Sequence, residues 1–221
     1  AIQQLRLRGV RGVLVFDPGL QIPPAVMAEL RDGFAVVVVL RAKGGEQFHR
    51  VGVDSATNVE LAMHNLRAAG FRRIGLPIWP FFQSLDRIRK DILAAYMLQS
   101  LLLPPRERVP LPRKHIEHSK TFLLEWTKAQ RVDAIIGVDI LHHEFLAGTG
   151  VTYAHFGVDT RPGLTGIVNR GVDIGRAAVS KLAEMVTGNR FSMPEVPILT
   201  LVPGVWSSAE NARKNSKSKR G

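Results

Sequence analysis

The 221-residue chain contains no cysteine, which excludes disulfides, zinc–thiolate sites and thiol catalysis. A cysteine-free chain fits a reducing compartment, and the expected location is the cytoplasm. No apolar run approaches the roughly 20 residues that cross a bilayer. The longest, Ala35–Leu40 and Ala94–Leu103, have the lengths of a strand and a helix, so no membrane partner is expected. The opening, AIQQLRLRGV, has neither the apolar core nor the small-residue cleavage site of a signal peptide. Catalytic signatures are missing too. There is no G-x-S-x-G elbow, no Walker A loop and no G-x-G-x-x-G, and Gly44-Gly45 reads as a turn between strands. His115, Glu117 and His118, like His142, His143 and Glu144, lack the H-E-x-x-H spacing and a third ligand. They read as surface histidines near helix starts. No acid–base pair is placed for catalysis, so neither an enzyme, a metal nor a cofactor is expected.

Acid is scarce as well. Nineteen carboxylates face 30 lysines and arginines, a net charge of +11. Five of those eleven charges, Arg213, Lys214, Lys217, Lys219 and Arg220, lie in the closing segment NARKNSKSKRG, which has no acid. That segment is too polar and too rich in small residues to fold, and residues 213–221 are expected to be a disordered basic tail. The rest of the excess is spread along the chain. It reads as a solvated basic surface; direct, salt-sensitive binding of the tail to a phosphate backbone is the alternative.

What remains is 45% hydrophobic, enough to build one large core or two small ones. Val13–Phe16 and Ala35–Leu40 are short runs without a polar face, as in strands covered on both sides of a parallel sheet. Pro24–Arg31 suits a short helix between them, and Val51–Asp54 is a further strand. After it, Val59, Ala62, Leu66 and Ala69 recur at helical steps and Gly70 ends the pattern. Arg73–Leu76 is a strand, and beyond the loop PIWPFFQ a helix capped by Ser84 carries Ile88, Ile92 and Ala95 until Pro104 and Pro105 stop it. Val109–Leu111 fits a short strand and residues 119–130 another helix. The apolar strands Ala134–Val138, Ala154–Val158 and Leu164–Val168 come next. A helix capped by Asp173 and closed by Gly188 precedes one long final strand. Strands alternating with helices predict right-handed βαβ units and an α/β fold.

Six segments, the last two overlapping, carry a further resemblance. LRGVRGVLVFDP is similar to the "rgvdGiil.p" strand of the LacI/GalR family of bacterial transcription regulators, and AVVVVLR to its "pvVlvdr" strand. VGVDSATNVELAMHNLRAAGFRRIGL is similar to "vg.Dn..g..lA..hL...GhrrIg.". VDAIIGVD resembles "pdAi...nD", and HFGVDTRPGLTGI a shortened "v.GfDd...p.lTti". The stretch from Leu164 to Trp206 resembles the family's closing strand, "iG..Av..L...i.G" helix and last strand. The resemblance covers residues 7–212.

It implies two Rossmann-like lobes with parallel sheets joined by three crossovers, the periplasmic-binding-protein-like type I arrangement. The N-terminal lobe would be residues 1–70 plus 169–190, and the C-terminal lobe 71–165 plus 193–212. The family's first strand and helix, and its helix-turn-helix, have no counterpart here, so the N-terminal lobe is expected to be incomplete. The implied function is effector sensing. A small molecule, by the family's habit a sugar, shifts the lobes of a homodimer, and operator DNA is read only through a separate N-terminal domain. A sugar-binding protein of a transport system is the alternative with the same fold.

In open α/β sheets ligands bind beyond the carboxyl ends of the strands. Those ends place Asp17, Arg41, Trp79, Asp139 and Asp159, with Asn169 at a crossover. Carboxylates and amides suit paired hydroxyls, and an aromatic face, from Trp79 or Phe81, suits the apolar face of a sugar ring. By resemblance, Arg89 matches the family's ligand-gripping arginine, with Arg87 as the alternative register, and Asp159 its ligand-contacting aspartate. Asn169 follows the family's LTT strand, where an amide often touches ligand. Departures are Leu40 in place of an acid, Val138 in place of the asparagine of an Asn-Asp pair, and Ile92 in place of a glycine.

Overall fold

The computed structural model describes residues 2–16, 23–40, 45–78, 87–113, 119–137, 140–158 and 164–208, with the backbone alone at 87–89, 140 and 158. The chain forms two compact units. One is Ala1–Asp54 with Arg170–Val202, and the other is Ser55–Asn169 with the residues from Pro203 onward, so the chain passes between them three times.

The first unit is a four-stranded, all-parallel sheet in the order β1 (Gly12–Phe16), β2 (Ala35–Val39), β3 (His49–Val53) and β8 (Leu199–Val202). β2 is buried throughout, which explains its unbroken apolar run. Ala35, Val37 and Val39 pack with Val51 beneath α7 (Gly171–Thr187). Val36 and Val38 face Ile2 of α1 (Ile2–Leu7) and Met27 and Leu30 of α2 (Pro24–Arg31). Among the described residues β1 pairs with β2 alone, and its Leu14 and Phe16 are exposed. Leu40, at the end of β2, adopts a left-handed backbone (φ 67°) that ends the strand one residue before the expected limit.

The second unit is a five-stranded sheet in the order β4 (Ile74–Gly75), β5 (Ala134–Gly137), β6 (Thr152–Val158), β7 (Gly166–Val168) and β9 (Val205–Ser207). Only β9 runs antiparallel, against β7. One face is covered by α3 (Ser55–Ala68) and α4 (Arg87–Leu101), through Val59, Leu66, Ile92 and Tyr96 against Ile136, Ala154 and Ile167. The other is covered by α5 (Lys120–Ala129), through Leu123, Val132, Ile135 and Tyr153, and by Leu146 just beyond α6 (Ile140–Phe145). Ser119 caps α5 by accepting the Phe122 amide proton.

Several expectations change. The single closing strand is two strands in different sheets: β8 completes the first unit, and Pro203-Gly204 breaks the run before β9 joins the second. Residues 199–202 therefore belong with the first unit, and α3, expected with it, packs on the second unit's sheet. Val109–Leu111 is not a strand. Instead the Val109 carbonyl lies 3.0 Å from the Tyr96 hydroxyl, which also reaches the Ile74 carbonyl. Asp173 is not the cap of α7. It lies in the first turn, between Arg170 and Arg176, each 2.6 Å away. The Ser84 cap and the tail 213–221 lie outside the described residues.

Candidate functional site

Asp17, Arg41, Trp79, Phe81, Asp139 and Asp159 lie outside the described residues. Arg87 and Arg89 fall in the first turn of α4, in backbone alone. Asn169 is described fully, directly after β7. Of the strands whose carboxyl ends were expected to carry a site residue, β1 ends at Phe16 and β6 at Val158, directly before Asp17 and Asp159, whereas β2, β4 and β5 end at Val39, Gly75 and Gly137, short of Arg41, Trp79 and Asp139.

The described part of the site is the carboxyl end of β6 and β7 in the second unit. Pairing there is regular at His155↔Gly166 and Phe156↔Ile167, then slips so that Val158 faces Val168. The extra residue is Gly157, with φ 87°. A bulge needs a residue tolerant of that angle, and this one also needs no side chain, because a Cβ would sit 2.9 Å from the Asn169 Nδ2. The amide of Asn169 is thus laid across the bulge. Its Oδ1 is buried and accepts no hydrogen bond among the described residues. A buried acceptor left without a donor costs about 1–3 kcal/mol.

Level with the end of β5, three aromatic side chains meet. Tyr153 and His155 project from the same side of β6. The Nε2 of His155 lies 3.2 Å from the Nδ1 of His143 on α6, so one ring donates to the other. Tyr153 stacks on His143 with centroids 5.6 Å apart and stands edge-on to His155 at 4.7 Å. Gly137 makes room for this cluster: any Cβ there would overlap the Tyr153 ring. Among the described residues no group of three or more His, Asp or Glu could hold a metal. A separate surface cavity of about 520 Å³, lined by Leu111, Phe122, Glu125 and Trp126 among others, contains none of the expected site residues.

No family model matches the sequence, and no curated protein matches it. Solved structures do match. The transcriptional regulator CelR in complex with cellobiose superposes with a TM-score of 0.61 at 20% identity, covering 93% of this chain and 68% of that one. A regulatory protein of the LacI family from Chloroflexus aggregans gives 0.64 at 20% identity, covering 94% and 79%. The trehalose repressor from Escherichia coli gives 0.61 at 21% identity, covering 93% and 80%. The fold is that of the LacI-family regulators. Within this LacI-type fold the two parallel sheets and three chain crossings are as the sequence motifs implied.

The reading of His142 as a surface side chain is corrected, because it is fully buried. His143 stays exposed, as expected, while its ring stands against Tyr153 and His155 on β6. The alternation of Tyr153 and His155 on one side of a strand was a usable signal. Residue spacing gave no warning that α6 would bring His143 to meet them.

Proposed function

We propose that the chain is the effector-sensing part of a LacI-type transcription regulator, and that the second unit contributes Asn169 to a carbohydrate site. The observation that carries this reading is the buried, unpartnered Oδ1 of Asn169, at a strand end where this fold places ligands. A sugar hydroxyl is the natural donor to an amide carbonyl. Asp159 and Arg89, one strand and one helix away in sequence order, are assigned to the same ligand, with Asp17, Arg41, Trp79, Phe81 and Asp139 as further candidates. The regulators with the same fold support it: one is described in complex with cellobiose, another as a trehalose repressor, and a third with bound sucrose. They support regulation rather than catalysis. The same reading makes the protein a cytoplasmic homodimer whose contact with operator DNA is made by a separate helix-turn-helix domain.

The test is a thermal-shift screen against a panel of mono- and disaccharides, repeated with Asn169→Ala, Arg89→Ala and Asp159→Ala. At about a hundred times its Kd a ligand adds about 2.7 kcal/mol, and at about 2–4 °C per kcal/mol the melting temperature rises by about 5–10 °C. Loss of that rise in the variants supports the assignment. A rise that survives all three places the ligand elsewhere.

A further inference from the structure

Helix α4 is apolar on two sides. Ile92, Ala95 and Tyr96 turn into the core of the second unit. Ala94, Met97, Leu98 and Leu101, with Leu102 just past the helix end, turn outward, and the last four are 51%, 57%, 63% and 73% exposed. Steps of three and four residues align them in one stripe, the pattern by which a helix packs against another element. Single exposed leucines are ordinary, whereas a contiguous aliphatic stripe marks a contact surface.

The stripe ends in a basic rim. Arg72, Arg106 and Arg108 are exposed and Arg73 partly so. The rim is fastened to the helix end: Arg108 donates to the carbonyls of Leu101 and Leu103 at 3.0 and 2.9 Å, and Arg73 donates to the Arg106 carbonyl. The nearby carboxylates are engaged. Glu107 pairs with Arg67 at 2.7 Å, and Asp133 accepts the amide protons of Arg72 and Arg73.

We propose that this surface docks an amphipathic α-helix of a partner protein, with leucine-type side chains laid along the stripe and carboxylates at one end meeting the arginine rim. Charge complementarity selects the occupant. A second copy would bring the same rim and its own +11 charge. The stripe is purely aliphatic, without the tryptophan and tyrosine that anchor proteins at a bilayer surface, which favours a protein helix over anionic lipid. Helix-in-groove recognition by three- and four-residue anchors is the matching mode.

The probe is a fluorescein-labelled, helix-forming peptide of about 18 residues with leucines at heptad a and d positions and glutamates on the flanks, long enough to hold a helix. Anisotropy is measured with the unaltered chain, with Leu98→Gln/Leu101→Gln and with Arg72→Glu/Arg106→Glu, all changed at exposed side chains. Retained circular dichroism melts show that the variants fold. Saturable binding, weakened about tenfold or more by each pair and by rising salt, supports the proposal, as does much weaker binding of a lysine-flanked version. Absence of saturable binding, or binding indifferent to both pairs, overturns it. So does stripe-dependent sedimentation with phosphatidylglycerol–phosphatidylcholine vesicles in place of peptide binding, which assigns the surface to a membrane. Self-association abolished by the leucine pair, seen by sedimentation velocity, assigns it to a second copy.

Discussion

Replacing Gly137 by alanine puts a methyl group where the buried Tyr153 ring lies. The tyrosine cannot swing into solvent without abandoning its stack on His143 and its edge contact with His155. Its ring must therefore retreat into a packed layer that also holds Leu123, Val132, Ile135 and Leu146. Overpacking of that kind costs about 1–3 kcal/mol, and the overlap of Cβ with the ring puts this site near about 3. Urea unfolding followed by tryptophan fluorescence reads the effect in the right place, because all three tryptophans, Trp79, Trp126 and Trp206, belong to the second unit. With an m-value of about 2 kcal/mol per molar urea, the midpoint falls by about 1.5 M. The cycle with Tyr153→Ala is the decisive control. Tyr153→Ala alone costs about 3–5 kcal/mol as a core truncation, but in its background the alanine at 137 meets no ring. The double variant is then about 2 kcal/mol more stable than the sum of the two losses. Additivity within about 0.5 kcal/mol would refute the view that Gly137 exists to admit Tyr153.

Asn58 is fully buried and its Oδ1 accepts the Gly204 amide proton at 2.7 Å, so Asn58→Ala strands a buried donor and lowers stability by about 1–3 kcal/mol in the same urea assay. Tyr96→Phe leaves the Ile74 and Val109 carbonyls short of a donor and costs about 1 kcal/mol; burial pushes the Tyr96 hydroxyl up to about 12, so no loss from its ionisation is seen on titration to pH 10. Burial, helped by Lys181, holds the pKa of His49 below 6.5, and its Nδ1 accepts the Ile198 amide proton only when unprotonated. The first unit therefore carries this stabilisation above pH 6.5 and loses it as pH falls through the lower folded-state value. Circular dichroism melts across that window show the slope, and His49→Gln flattens it. Asn169→Ala, by contrast, removes an acceptor that already lacks a partner, so the ligand-free melting temperature changes little while carbohydrate binding is lost.

Periodicity and β-branched runs located β1 to β7 to within a few residues. A central strand such as β2 is apolar on both faces and announces itself as an unbroken run. The closing stretch was misread for the same reason. PILTLVPGVW is apolar throughout, and only Pro203-Gly204 marks where it leaves one sheet for the other. Gly204 is needed there because a Cβ would come within 2.6 Å of Ile167 and 2.8 Å of the Val168 carbonyl, a close approach that no local pattern encodes. At the site, strand ends named the positions, and Asn169 followed from what the family does after the β7 strand. The orphaned Oδ1 and the Tyr153–His143–His155 cluster arise from a bulge and from the docking of a six-residue helix. Those are tertiary events without a periodic trace.

The first unit is discontinuous in sequence, and this imposes an order on synthesis. β3 pairs with β8 through Arg50↔Leu199, whereas nearly the whole second unit lies between those residues. At about 5–20 residues per second the ribosome needs on the order of ten seconds to add the intervening chain. Throughout that interval the β3 edge has no native neighbour, and for most of it α7, which roofs Ala35, Val37 and Val39, has not been made. The second unit lacks only β9 at the same moment. The half of the molecule that begins first thus closes only when residues 199–202 are made, and a nascent chain stalled before α7 exposes an unroofed valine sheet to whatever chaperone or neighbouring chain is at hand.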